Sequence, residues 1–303
     1  MTLPVAALFG LCTWLLIGLW KYQLWPQLAC FVASVYLLLE LSNQNALLRI
    51  RSRMVSSTFI LLACTANFLL PHLTGGIVQL CFIASFLLLF QTYQNPQATG
   101  QTYYSFVAVG LASIAYIHVL WYVPLLWILM RTQLQALSWR TWFSSLLGLA
   151  TPYWFFLLWL TMPFGRPEGW IPDLSPLGSH FSQFTPQLSS LHIHLSLLTT
   201  PSLLVLLFTL VLAVTGIVHF WQFSFEDKIR IRLLYGFFTT MTLFTVAFIL
   251  IQPQHFNVFM PLCFVCASPL IAHVVTFTSS RLSNILFFAA LTLAVALTIF
   301  NFF

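Results

Sequence analysis

Residues 201–221 read PSLLVLLFTLVLAVTGIVHFW, a run without a single Lys, Arg, Asp or Glu. A helix needs about 20 consecutive apolar residues to cross the hydrocarbon core of a bilayer. The whole chain of 303 residues has the same character, since 60% of it is hydrophobic and only 5% is charged. Soluble domains carry about 25% charged residues. The sequence therefore predicts an all-α membrane protein, a polytopic bundle of transmembrane helices.

Apolar runs of similar length recur along the chain and are separated by short polar breaks. Short breaks of this kind place successive helices next to each other and antiparallel. We therefore predict a single transmembrane domain over residues 1–303. Its clear candidate spans cover residues 4–20, 24–41, 55–73, 75–93, 141–164, 201–221, 233–252, 258–277 and 285–303.

Residues 103–130 are ambiguous, because one straight helix over them would be about 42 Å long. That is too long for one span and too short for two. Cytoplasmic loops carry an excess of Lys and Arg, and a hairpin of two short helices leaves only Lys21 and Arg166 on the outer side. We therefore predict a hairpin, about eleven membrane segments, a cytoplasmic N-terminus and a periplasmic C-terminus. The basic residues that then share the cytoplasmic side are Arg49, Arg51, Arg53, Arg131, Arg140, Lys228, Arg230, Arg232 and Arg281.

The net charge of +6 arises from 11 Lys and Arg against 5 acids. In a membrane protein such an excess sets the orientation and attracts anionic headgroups, so we predict membrane lipids as partners and no nucleic acid. The Cys263-x-x-Cys266 pair has no second pair, and we expect small apolar helix residues there. His192-x-His194 could bind a metal if the segment were extended, but residues two apart diverge on a helix, and a lone pair is a weak signal. No metal and no cofactor are predicted.

Two arginines form the first candidate site. On a helix, Arg49 and Arg53 would lie on one face and Arg51 would point away. Arginine forks bind phosphate and carboxylate well, so Arg49 and Arg53 are predicted to bind an anion or a lipid phosphate. The simpler alternative is that these arginines only fix the topology and contact anionic lipid.

Further ionisable groups lie inside or next to the apolar runs. His118 lies inside an apolar stretch, where an ionisable residue is by default a functional hypothesis; the alternative is a neutral imidazole bonded to a neighbouring helix or to Tyr116. His219 and His273 lie close to helix ends, where we expect water within reach. Residues 225–232 carry mixed charge and are expected to form a solvated loop with an acidic helix cap.

The largest segment outside the membrane is predicted over residues 165–200, on the outer face. Its first half is rich in proline, which forbids a long helix there. Leu188, Leu191, Leu195 and Leu198 recur at helical spacing and predict a short interfacial helix. Trp170 and Phe184 are expected to anchor the segment at headgroup level.

Residues 40–129 resemble a family of uncharacterised polytopic inner-membrane proteins of Gram-negative bacteria. The shared features are an acid and amides before an Arg-rich stretch, the run Tyr93-Gln94-Asn95-Pro96, and a short helix with Gly110 that leads to His118 and Pro124. The same order is similar to the membrane core of C-type glycosyltransferases, which take sugars from polyprenyl-phosphate donors. The resemblance implies localisation in the bacterial inner membrane and a polyprenyl-phosphate lipid as a partner. It also implies a basic residue on a later short helix, where His118 stands.

The chain departs from the C-type enzymes at one position. Those enzymes place a catalytic carboxylate in the first outer loop, and here that loop is Lys21-Tyr22-Gln23, without an acid. The outer acids are Glu168 and Asp173, and glycosyl transfer needs a carboxylate as base or metal ligand. Under the enzyme hypothesis Asp173 or Glu168 is the base, while His118 and Arg166 contact the donor phosphate.

Three functions therefore remain open. The first is transfer of a lipid-linked sugar at the outer face, with a glycosyltransferase-like architecture. The second is a non-catalytic subunit or assembly factor of a cell-envelope complex, whose helices pack against other membrane subunits. The third is a transporter or flippase, which the sequence favours less because it shows no repeat and no buried acid.

Overall fold

The computed structural model describes residues 2–49, 52–161, 175–184, 198–278 and 281–302. Of the residues that the structure describes, 85% are helical, which confirms the prediction of an all-α fold. The described residues form twelve α-helices: α1 (Thr2–Ile17), α2 (Trp25–Asn45), α3 (Met54–Thr65), α4 (Leu73–Gln91), α5 (Thr99–Ala115), α6 (Tyr122–Thr132), α7 (Trp139–Thr161), α8 (Ser175–Ser182), α9 (Thr200–Phe223), α10 (Ile229–Ile251), α11 (Phe256–Phe277) and α12 (Arg281–Phe300).

Six of these helices are long and apolar enough to cross a membrane, namely α2, α4, α7, α9, α10 and α11. Helices α1, α3, α6 and α12 are apolar but shorter or less continuous. Helix α3 ends at Thr65, and a short 3-10 turn, Asn67–Leu69, interrupts the span predicted over residues 55–73. The membrane character of the fold agrees with the sequence, and the number of eleven membrane segments stays a prediction.

The chain divides into two compact units. The first unit contains Met1–Ile83 and His192–Phe303, and the second contains Ala84–Leu191. Helix α4 begins in the first unit and ends in the second. The sequence predicts a single transmembrane domain, and the structure has these two units within it.

Helix α11 is the core of the first unit. It packs against α3, α9 and α10, and every residue from Val258 to His273 is buried. A helix that is apolar on all sides belongs in the interior of a bundle. Pro269 lies inside this helix and cannot donate to the carbonyl four residues earlier. The Ser268 hydroxyl donates to that carbonyl, on Val265, at 3.0 Å, so the helix continues without a buried acceptor left open.

Gly216 of α9 lets two backbones of the first unit meet. A Cβ atom at this position would lie 2.9 Å from the carbonyl carbon of Leu270 in α11. Since no side chain separates them, the C-terminal parts of α9 and α11 run close together. This contact positions the histidines that follow Gly216 and Leu270.

The polar connections of the first unit gather at its two ends. The basic end consists of the C-terminal ends of α2, α9 and α11 and the N-terminal ends of α3, α10 and α12. The opposite end contains the α1–α2, α3–α4 and α10–α11 connections and the C-terminus of α12, where the Asn67 amide donates to the Thr298 carbonyl at 3.1 Å. Among the described basic residues of this unit, Lys21 belongs to the α1–α2 connection. All others belong to the basic end: Arg49, Arg53, Lys228, Arg230, Arg232 and Arg281.

The second unit is organised by the close packing of α5 against α7. Gly148 of α7 faces the backbone carbonyl of Tyr103 so closely that a larger residue would not fit. The Tyr103 hydroxyl and the Thr151 hydroxyl form a hydrogen bond of 2.9 Å one turn further along α7. The two helices are therefore joined both by shape and by polar contacts.

The ambiguous stretch of the sequence forms the predicted hairpin. Helix α5 ends at Ala115, the chain bends at Tyr116, and a 3-10 turn, Ile117–Trp121, leads into α6. The two ends of the segment meet, because the Gln94 N–H donates to the Leu134 carbonyl at 2.9 Å. Two short helices, over 99–115 and 122–132, therefore fold back on each other. That both ends of this hairpin lie on the same side of a membrane stays a prediction.

Candidate functional site

Asp227 is a buried acid at the basic end of the first unit. It lies between α9 and α10, and its side chain is only 1% exposed. Its Oδ1 accepts a hydrogen bond of 2.6 Å from Nε of Arg49, a residue 178 positions away in the chain. Its Oδ2 lies 3.3 Å from Nε2 of His273. Removing a carboxylate from water is costly unless it is paired and hydrogen-bonded, and both oxygens of Asp227 have a partner.

Two imidazoles extend this arrangement into the bundle. Nδ1 of His273 lies 3.3 Å from Nδ1 of His219 on α9. Because a carboxylate only accepts, the proton of a neutral His273 lies on Nε2 and its Nδ1 is an acceptor. His219 then donates from its own Nδ1. Arg49, Asp227, His273 and His219 thus form one hydrogen-bonded chain, which we call the Asp227 cluster.

Aromatic side chains enclose the Asp227 cluster. The Arg49 guanidinium lies 5.1 Å from the ring centre of Phe277, within the range of a cation–π contact. The Tyr235 ring lies 5.1 Å from the His273 ring, and its hydroxyl donates to the Leu47 carbonyl at 3.2 Å. Together these contacts hold the residues after α2 against α10 and α11.

Further cationic side chains lie at the same end of the first unit as the Asp227 cluster. Arg53 and Lys228 are exposed, and each immediately precedes a helix. Nη2 of Arg230 donates to Oδ1 of Asn45 at 2.9 Å, which fixes one guanidinium over the end of α2. Within the described part of the chain, the buried Nε of Arg232 has no hydrogen-bond partner. The basic end therefore combines a neutralised ion pair with several further positive charges.

Two predictions about this region are wrong, one at Asp227 and one at the two histidines. The sequence predicts a solvated loop with an acidic cap over residues 225–232. Lys228 and Arg230 are exposed, but Asp227 is buried, and the cap of α10 is Lys228 without a side-chain cap bond. His219 and His273 were expected to reach water, but they are 9% and 1% exposed. The reason is the same in each case: α9, α10 and α11 converge here, and their packing closes the space that separate helix ends would leave open.

The two predicted anion-binding arginines do not share a helix face. Arg49 lies in the connection after α2, and Arg53 occupies the position just before α3. The prediction that Arg49 and Arg53 lie on one face of a helix is therefore wrong, because α2 ends at Asn45 and Ala46 has a left-handed conformation. Both residues nevertheless lie at the basic end, where a phosphate could meet them.

His118 lies in the second unit, in the 3-10 turn between the two hairpin helices. It is 9% exposed, and its ring lies 5.1 Å from the ring of Tyr116. Nearby, the carbonyl of Ser113 lies 3.1 Å from Nε2 of His180 on α8. Helix α8 thus rests on the hairpin. Phe184, expected as a headgroup anchor, stacks on Trp121 at 5.2 Å between ring centres.

Several predicted residues lie outside the described part of the chain: Arg166, Glu168, Trp170, Asp173, His192, His194 and the proposed helix over residues 188–197. Of the predicted catalytic group, only His118 is described. The pairing of His118 with Asp173 or Glu168 stays a prediction. Cys263 and Cys266 are fully buried in α11, as expected for ordinary helix residues. Among the described residues, no three His, Cys, Asp or Glu side chains are arranged to hold a metal ion.

The Asp227 cluster was missed because its members are far apart in the sequence. One signal was present: His219, Asp227 and His273 all lie near helix ends that the basic residues assign to the same compartment. That pattern places them in one layer but does not show which of them touch. Comparison of the chain with protein-family models, with curated proteins and with solved structures gave no match.

Proposed function

We propose that this protein is a multi-pass protein of the bacterial inner membrane that binds the phosphate of a lipid-linked substrate at its basic end. The observation that carries the proposal is the set of cationic side chains at the same end of the first unit as the Asp227 cluster. Asp227 already neutralises Arg49, so Arg53, Lys228, Arg230 and Arg232 supply positive charge in excess. Arginine matches the geometry of phosphate oxygens, and the open Nε of Arg232 offers a donor.

The position of this site supports a lipid headgroup rather than a pathway through the middle of the membrane. His219 and His273 are each four residues from the ends of their helices, about 6 Å along the helix axis. Groups at that depth meet the headgroup region of a bilayer. By the excess of Lys and Arg, the basic end belongs to the cytoplasmic leaflet.

Binding of a polyprenyl phosphate to the purified protein, measured by native mass spectrometry, tests the proposal. We expect the Arg230→Gln/Arg232→Gln double variant to bind at least tenfold more weakly, because each basic residue near an anionic group contributes about 1 kcal/mol. The matched control is Arg131→Gln/Arg140→Gln, which removes the same charge from the second unit. Equal binding by both double variants would refute the proposal.

The orientation has its own test. In a cysteine-free background, Ser224→Cys at the basic end and Gln23→Cys in the α1–α2 connection are labelled with a membrane-impermeant maleimide in intact cells. We expect labelling of the cysteine at position 23 and protection of the one at position 224. The reverse pattern would place the basic end outside.

A separate proposal, which concerns the outer face and not the basic end, is transfer of a lipid-linked sugar with Asp173 or Glu168 as base and His118 and Arg166 at the donor phosphate. It rests on the resemblance to the C-type glycosyltransferases and on the outer position predicted for these residues. Asp173→Ala and Glu168→Ala are expected to abolish the transfer or the cellular phenotype. If both variants behave as the unchanged protein does and a stoichiometric partner is recovered from detergent, a non-catalytic subunit is the better description.

One observation favours a transporter or flippase as the second candidate. The sequence argument against it was the lack of a buried acid, and Asp227 is a buried acid bonded to a histidine. Intramembrane ionisable chains of this kind often mark ion or substrate pathways. Asp227→Asn distinguishes the two functions: it would stop transport under the second candidate, whereas lipid phosphate would still be retained by the remaining cations under the first.

A further inference from the structure

A pocket lies at the opposite end of the first unit, away from the Asp227 cluster. It is formed by α1, α2, α3, α4 and α11, and its empty space is about 380 Å³ when the part that is open to the exterior is included. The lining residues that matter here are Trp14, Gln27, Phe31, His72, Gln79 and Phe264. Sites that bind small molecules typically combine such aromatic walls with a few polar groups.

Two residues that line this pocket each have a buried polar atom without a partner among the described residues. Trp14 is 2% exposed, and its indole N–H is buried without an acceptor. Gln27 donates its amide nitrogen to the Pro71 carbonyl at 3.2 Å, but its buried Oε1 has no donor. A buried polar group that lacks a partner costs about 1–3 kcal/mol, so such groups are rare and need an explanation.

A third amide is already held in place. Gln79 is 5% exposed, and its Nε2 donates to the Ser34 hydroxyl at 3.3 Å, while that hydroxyl donates to the Cys30 carbonyl at 2.8 Å. This hydrogen-bonded chain fixes the Gln79 side chain on the wall of the pocket. The polar side of the pocket is therefore held in a fixed arrangement by hydrogen bonds within the protein.

The remaining lining excludes a charged ligand. Phe31 and Phe264 are buried, and the rings of Trp14 and Phe31 lie 5.8 Å apart. Among the described residues that line the pocket there is no Lys, Arg, Asp or Glu, and the ionisable side chain among them, His72, is exposed. A phosphate or a carboxylate would find no counter-charge here.

We propose that this pocket binds a neutral, hydroxyl-bearing group, the headgroup of a glycolipid or a free sugar or polyol. A hydroxyl both donates and accepts, so one such group satisfies the Trp14 N–H and adjacent hydroxyls reach Gln27 Oε1. The aromatic rings cover the C–H face of the same molecule. The site is separate from the basic end, and its existence does not depend on phosphate binding there.

The experiment uses the full chain in nanodiscs of phosphatidylethanolamine, so that no sugar-headed detergent competes. The probes are methyl glucoside as the soluble source and monoglucosyl diacylglycerol as the lipid source, and bound probe is counted by native mass spectrometry. We expect Trp14→Phe and Gln27→Leu to weaken binding about fivefold each, the worth of one hydrogen bond. Trp20→Phe, at an exposed position of the same end, is the matched control and should bind as the unchanged protein does.

The outcomes separate clearly. Retention of the glycolipid alone assigns a lipid source, and retention of methyl glucoside assigns a soluble one. Binding of neither probe overturns the proposal, as does binding that Trp14→Phe and Gln27→Leu leave unchanged. Thermal unfolding without probe shows whether a variant is folded, and the two variants remove different atoms, so failure of one to fold leaves the other as the test. Loss of phosphate binding in the Arg230→Gln/Arg232→Gln variant would not affect these results.

Discussion

At the basic end of the first unit, Asp227 is held by the charged Arg49 and by His273, whereas at the opposite end Asn67 and Asn301 donate their amides to backbone carbonyls of α12 and α3. Both ends join helices that are distant in the sequence. The first uses ionised groups, and the second uses neutral ones.

The two ends differ in the kind of group that stays buried and unpaired when one partner of a contact is removed. In a low-dielectric interior an uncompensated charge is far more costly than an open amide or carbonyl. The basic end is therefore expected to be sensitive to single substitutions, and the opposite end tolerant of them.

The largest effect is expected for Asp227→Ala. It leaves Arg49 and His273 without their acceptor, and removing one partner of a buried pair costs about 3 kcal/mol when one member is partly exposed, as Arg49 is. Thermal unfolding in detergent measures the loss. The control Glu40→Ala removes an acid that, among the described residues, accepts an exposed hydrogen bond from Gln44, and it is expected to change little.

The pairing itself is tested by a double variant. In Asp227→Ala, the loss of stability is expected to come mainly from the Arg49 charge that no longer meets the carboxylate. The free energy of unfolding of Asp227→Ala/Arg49→Ala should therefore fall by less than the sum of the losses in the two single variants. Equal stability of Asp227→Ala and Glu40→Ala would contradict the contrast between the two ends.

A smaller loss, about 1–3 kcal/mol, is expected for Gly216→Ala. The added Cβ would lie 2.9 Å from the backbone of Leu270 and push α9 away from α11, which also separates His219 from His273. Gly100→Ala is the control, because nothing lies within 4 Å of the Cβ position there. If both glycine variants unfold at the temperature of the unchanged protein, α9 and α11 do not depend on this contact.

Asn67→Leu at the opposite end is expected to cost about 1 kcal/mol or less. It removes one hydrogen bond to the Thr298 carbonyl, but it also removes the Asn67 Oδ1, which is buried and has no partner among the described residues. The same unfolding measurement applies. A loss as large as that of Asp227→Ala would remove the distinction between charged and neutral ends.

The smallest effect on stability is expected for Arg53→Gln, within about 0.5 kcal/mol, because exposed charges contribute little to folding. Its effect should appear in phosphate-lipid binding instead. A change in unfolding temperature without a change in lipid binding would show that Arg53 is a structural residue and not part of a phosphate site.

Most helix positions follow from local hydropathy, and the difficult cases are the helix ends. The spans over 201–221 and 258–277 nearly coincide with α9 and α11. The hairpin was predictable because only it gathers the basic residues on one side. Helix α10 instead begins at Ile229, before its predicted start at residue 233, since helical packing against α11 tolerates Arg230 and Arg232 in the first turn.

The sequence by itself determined that this is a helical protein with membrane-crossing segments and that its basic residues collect at one end, because both follow from sums of local hydropathy and charge. Only the tertiary structure decided that Asp227 is buried, that it meets Arg49 and His273, and that Trp14 and Gln27 share a pocket. Those facts depend on which helix faces pack together. A contact between residues 178 positions apart leaves no mark on the composition or periodicity of either segment.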